Sequence, residues 1–106
     1  MIYGIRARFA AITLAVWLLA IGEASAETVN NIKVVGVGNQ GGQLYALLGS
    51  TPPGCGGAIV YHSSETQAGQ YVMSIILAAR LANSPLARID YTVRAGGACW
   101  IDLVQL

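Results

Sequence analysis

"VVGVGNQGGQLYALL", Val34–Leu48, admits two incompatible folds. Gly36, Gly38 and Gly41 form G-x-G-x-x-G directly after an apolar run. Between a strand and a helix, that spacing opens a dinucleotide-binding fold. The fold requires a helix after the motif, a βαβ unit around it and an acid about 20 residues further on. Here Gln43–Leu48 reads as a strand, with Leu44, Ala46 and Leu48 on one face and Tyr45 and Leu47 on the other. No βαβ unit follows directly, and the next acid is Glu65. The glycine-rich segment Gly36–Gly42 is therefore expected to be a hairpin loop between two strands.

Outward from that hairpin the chain reads as short strands and one helix. Val29–Val37 is the expected first strand and Gln43–Leu48 the second. "GSTPPGCGG", Gly49–Gly57, breaks regular structure, because the prolines lack donors and the glycines favour turns. Ala58–His62 is a short third strand. "SETQ", Ser64–Gln67, matches a capping box with Ser64 as the cap. Ala68, Tyr71, Val72, Ile75, Ile76, Ala79 and Ala82 then recur at helical steps, up to the stop at Asn83–Pro85. Arg88–Arg94 alternates with period two, "AGGA" at Ala95–Ala98 signals a tight hairpin, and Cys99–Leu106 is the last strand. The expected fold is mainly β with one helix. It is a five-stranded OB-fold-like barrel, with the helix between strands three and four.

The start of the chain predicts export. Arg6 and Arg8 precede an apolar run, Phe9–Ile21, and the small-residue site Ala24-Ser25-Ala26 follows. These are the parts of a secretory signal peptide, 1–26, leaving one domain, 27–106. The apolar run is short for a membrane span, which takes about 20 residues, and nothing later is long enough. Retention of the segment as an anchor is the alternative to cleavage. The expected destination is the periplasm or the exterior. There, Cys55 and Cys99 have one intramolecular pairing open to them, a disulfide. Lys33, Arg80, Arg88 and Arg94 balance Glu27, Glu65, Asp90 and Asp102 in the expected domain. That neutrality argues against a nucleic-acid partner.

The sequence offers no assembled catalytic set, and no cofactor or metal site is expected. His62 is the sole histidine, and two cysteines so far apart make a poor metal site beside it. Ser63 and Ser64 adjoin His62, a placement that seldom gives a nucleophile–base pair. Asp90 and Asp102 could face each other across the last hairpin. Asp90 lies between Arg88 and Arg94 in sequence, so cross-strand ion pairing is the simpler expectation. Tyr71 and Tyr91 fall on apolar faces, as core residues do. Tyr45, Tyr61 and Trp100 are candidate ligand contacts, since an aromatic ring offers a flat apolar body to a sugar or a protein. Gly38, Asn39 and Gln40 join them, because the first loop of an OB-fold borders its ligand face.

"QLYALLGS" at Gln43–Ser50, a Pro/Gly loop with Cys55, "YVMSIILAARLANS" at Tyr71–Ser84 and Cys99 in the last strand resemble one family. The order is similar to small exported bacterial proteins akin to the B subunits of pentameric AB-type toxins, the subtilase cytotoxin group nearest among them. The resemblance implies an OB-fold, a ring-shaped pentamer and binding of cell-surface glycans. It would set the helix at the ring's centre, with Met73, Leu77 and Leu81 against neighbouring subunits. The expected function is a secreted or periplasmic non-catalytic binding module for a glycan or a protein partner. The alternative is a periplasmic structural or inhibitor protein acting through protein contacts alone.

Overall fold

The computed structural model describes residues 24–106, so the expected leader lies outside the described residues apart from Ala24–Ala26. The elements are β1 (Ser25–Ile32), β2 (Val34–Gln40), β3 (Gln43–Leu48), β4 (Ile59–Ser63), α1 (Gln67–Leu81), β5 (Leu86–Val93) and β6 (Cys99–Gln105). The protein is thus mainly β with one helix. The six strands form one open sheet in the order β1-β5-β6-β4-β3-β2. All neighbours are antiparallel except β4 and β6, a parallel contact of Val60 with Cys99 and Tyr61 with Trp100.

This departs from the expected five-stranded barrel. The run expected as one strand, Val29–Val37, is two, parted by Lys33, so the helix falls between the fourth and fifth strands. Asn31 just before the break has a φ of +52°, a left-handed conformation that asparagine tolerates better than most residues. Past it the chain changes neighbour: β1 pairs with β5, whereas β2 pairs with β3. The Lys33 carbonyl accepts from the Gly49 N–H at 2.8 Å, which holds the break against the end of β3.

The expected loop Gly36–Gly42 is also corrected. Gly36–Gln40 lies within β2, and only Gly41 and Gly42 turn the chain, with φ of +58° and +79°. Two positive φ values in a two-residue connection suit the right-handed twist of a hairpin.

The β3 alternation is as read: Leu44, Ala46 and Leu48 are buried. With Val34, Val60, Ile89, Tyr91, Cys99 and Ile101 they form the inner face. Val72, Ile76 and Ala79 of α1 cover it. Tyr91 is fully buried, but Tyr71 is 61% exposed rather than core. It stands one position off the buried line Val72–Ile76–Ala79, so its ring falls on the flank of the helix.

The helix cap differs as well. Thr66 is the N-cap, and its hydroxyl accepts from the Gly69 N–H at 3.0 Å. Ser64, the expected cap, instead donates its backbone N–H to the Gly42 carbonyl at 2.9 Å, tying the helix approach to the first hairpin. At the other end, Asn83 takes a φ of +53°, and the Ser84 N–H reaches the Ala79 carbonyl at 3.0 Å. This is a Schellman stop.

Gly69 shows how tightly α1 meets the sheet. A Cβ there would overlap the Ser63 carbonyl oxygen and stand 3.2 Å from His62 Nδ1. Gly→Ala inside a helix ordinarily stabilises by about 1 kcal/mol. Gly69→Ala is expected to reverse that sign and lower the midpoint of chemical denaturation. An unchanged or raised midpoint would mean that α1 does not seat on β4 in this way.

Candidate functional site

Strand pairing lines up the expected aromatics. Tyr45 stands opposite Tyr61 on the β3–β4 ladder, and Tyr61 opposite Trp100 on the β4–β6 contact. Gly38 of β2 faces Tyr45 at one end of this row, and Thr92 of β5 faces Trp100 at the other. Val60, Ala46 and Cys99, beside these residues in sequence, point into the core. Alternation therefore puts Tyr45, Tyr61 and Trp100 on the outer face of the sheet, where all three are half-buried.

The glycines of "GVGNQG" explain how Tyr45 is seated. A Cβ on Gly38 would overlap the Tyr45 Cζ and hydroxyl and come within 2.8 Å of its Cε1. A Cβ on Gly36 would stand 3.0 Å from Leu47 Cδ1. Gly36 and Gly38 share the outer face of β2, and each leaves room for the side chain opposite it on β3. The motif makes a seat for Leu47 and Tyr45 and opens no helix. Gln40 lies on that face too, opposite Gln43. Asn39 pairs with the inward-facing Leu44, so alternation sends it to the other face, and it does not join the expected group.

Tyr61 and Trp100 pack with centroids 5.8 Å apart and planes tilted by 37°. The Arg94 guanidinium lies 4.0 Å from the Trp100 ring centre, a cation–π contact. One indole face is therefore already occupied by the guanidinium, as one side of the Tyr45 ring is by Gly38. Sequence reasoning missed Arg94, because only the hairpin between β5 and β6 folds it back over Trp100.

Beside Tyr61 opens a cleft of about 320 Å³, lined by Gly56, Gly57, Ile59, Gly96, Gly97 and Ala98 along with the tyrosine. Its glycine pairs flank the two cysteines. Cys55 and Cys99 form the expected disulfide, with Cα atoms 5.7 Å apart. Disulfides of this kind belong to oxidising compartments. On a chain-entropy basis the cross-link stabilises by about 4 kcal/mol. Two further bonds hold the loop: Gly56 N–H to the Gly97 carbonyl at 2.9 Å, and the Tyr91 hydroxyl to the Pro53 carbonyl at 2.6 Å.

The polar groups weighed for chemistry have local partners. His62 Nδ1 lies 2.8 Å from the Ser63 carbonyl, a bond that requires the proton on Nδ1. Arg88 binds Asp90 through Nε and Nη2, each at 2.8 Å, and the Thr28 hydroxyl donates to the same carboxylate at 2.7 Å. The expected cross-strand ion pair is thus a same-strand one, since residues two apart on β5 share a face. These hydrogen bonds, Arg88 first, hold the Asp90 carboxyl below the usual carboxylate range. Asp102 accepts from the Thr92 hydroxyl at 2.7 Å, so each aspartate is bound to a different threonine. Among the described residues no three His, Cys, Asp or Glu side chains gather to hold a metal ion, and no helix is long and apolar enough to cross a membrane.

Comparison of the chain with family models, with curated proteins and with solved structures finds no match in any of the three.

The Tyr91 tether gives a pH-dependent test. Burial, with a smaller effect from Glu27, raises the pKa of the phenol. A group whose folded pKa is raised stabilises fully below its unfolded pKa, near 10 for tyrosine, and loses that contribution as pH rises. Tyr91→Phe is expected to lower stability by about 1 kcal/mol at neutral pH. It should also flatten the decline above pH about 10. Urea melts across that range measure both effects, and equal alkaline slopes for the two proteins would contradict the tether.

Proposed function

We propose that the protein is a non-catalytic binding module, exported to the periplasm or the exterior after loss of residues 1–26, that recognises a glycan on the outer face of its sheet. The observation that carries this reading is the row Gly38–Tyr45–Tyr61–Trp100, with its rings half-buried on the outer face of the sheet. Aromatic rings present apolar faces of the kind that the C–H side of a sugar ring can cover. The disulfide agrees with export.

The OB-like arrangement is part of the same proposal. β1 and β2 are separated by Lys33 alone, and we take them as two halves of one bent strand. Counted that way, the strands number five, the helix follows the third, and the order of the sheet returns to the strand with which it began. This supports the likeness to the B subunits of pentameric AB-type toxins. A glycan array probed with protein purified from an exporting host is expected to give binding. No signal on any glycan would remove the sugar reading.

The second reading, recognition of a protein, is favoured by the outer side of α1. Leu77 and Leu81 are exposed there, Leu81 at 85%, Tyr71 is exposed on the flank, and the first turn carries no acid. Apolar groups at that density are commoner in interfaces than on free helices. Under the toxin-like form of the proposal, native mass spectrometry should report a pentamer. A monomer would remove the ring and leave the single domain to bind alone.

A further inference from the structure

The outer face differs in character at its two ends. At one end Arg94 covers Trp100, and this guanidinium makes no ion pair among the described residues. At the other, around the β2–β3 hairpin, Gln40 faces Gln43, and Gln43 faces Ser63. Gly38, Tyr45 and Tyr61 lie two residues further along the same three strands. By strand geometry the two rows stand roughly 7 Å apart. Alternation keeps both on the outer face. Glu65 closes this end: a Cβ on Gly42 would come within 2.6 Å of its Oε1.

From this arrangement we infer that the hairpin end is a subsite for a neutral hexopyranose, stacked on Tyr45 and hydrogen-bonded by Gln40, Gln43, Ser63 and Glu65. The inference rests on the glycan reading above and specifies its ligand class. Tyr45 is seated across Gly38, so one side of the ring is supported by backbone and the ring is set before any ligand arrives. The glutamine amides both donate and accept, as sugar hydroxyls do. The Ser63 oxygen already accepts from the Glu65 N–H at 3.3 Å, which leaves its own proton to donate outward. The Glu65 carboxylate accepts from hydroxyls and repels a carboxylate. An acidic sugar is therefore disfavoured here, and the one cation of the aromatic row lies at the far end.

The test is a titration of the isotope-labelled protein, followed by amide NMR. The probes are methyl glycosides of glucose, galactose and mannose, and separately glucuronic acid and N-acetylneuraminic acid. At least one neutral glycoside is expected to shift the amides of Gly38, Gln40, Gln43 and Ser63. Tyr45→Ala should weaken that binding by about tenfold or more. Gly38→Ala, which must push the tyrosine from its seat, should weaken it in the same direction, whereas Arg94→Ala should leave it unchanged. If Tyr45→Ala fails to fold, Gln43→Ala at an exposed position gives the second measurement. Shifts confined to Arg94 and Trp100, or produced by the acidic sugars alone, would overturn the subsite and keep the glycan reading. No shift with any of the five sugars, together with an empty glycan array, would overturn both.

Discussion

A single residue, Lys33, joins the two ends of the sheet, and the inner and outer faces follow from that. In a flat sheet, five steps of about 4.8 Å would put β1 and β2 about 24 Å apart. The chain from Ile32 to Val34 spans at most about 7 Å. The sheet must therefore bend until the joined ends of β1 and β2 meet at Lys33, while the two strands stay unpaired edges of the open sheet. Curling creates a concave side small enough for Leu44, Val60, Ile89 and Tyr91 to fill, with α1 laid over it. The convex side then carries every alternate residue, which is why Tyr45, Tyr61 and Trp100 form a row rather than a scatter.

The same geometry assigns the glycines. On the concave side a missing side chain would leave a void, and apolar residues from Ala46 to Tyr91 occupy those positions. On the convex side of β2, Gly36 and Gly38 leave space that Leu47 and Tyr45 lean across to fill. Each glycine weakens its own strand, since it adds backbone entropy and no packing. The offsetting gain is an aromatic ring held against backbone. At Gly69 the same lack of a side chain is spent on bringing α1 up to the Ser63 carbonyl.

These assignments were unevenly legible in the sequence. Gln43–Leu48 could be read with its faces, because six alternating residues lie between breaks and one face is wholly apolar. The cysteine pairing was legible because two cysteines leave one intramolecular choice. The break at Lys33 was not, since "NNIKVV" stays compatible with a continuous strand and only Asn31, tolerant of positive φ, hints at a bend. Gly36–Gln40 reads as loop in the sequence because glycine ordinarily marks turns. Its place in a strand depends on side chains contributed by β3, which local sequence does not state. The helix start slipped from Ser64 to Thr66 for a related reason. Both residues can cap, and the bond from Ser64 to Gly42 that settles the choice joins distant parts of the chain. Tyr45 and Tyr61 could be named as candidates from residue type alone, but the place of Arg94 over Trp100, of Gln43 beside Ser63 and of Glu65 beside Gly42 depends on pairing and turn geometry.

A sheet this small has little core with which to hold its outer face still, and the distribution of its ties reflects that. The loop between β3 and β4 is fastened to the β5–β6 end by the disulfide, by Gly56 to Gly97 and by Tyr91 to Pro53. The hairpin end is fastened by a two-residue turn and by the bond from Ser64 to Gly42. Between these two anchored ends run the strands that carry the aromatic row. Under the glycan reading proposed above, a ligand meeting that row would order no loop on arrival, so less of its contact energy would be offset by lost chain entropy.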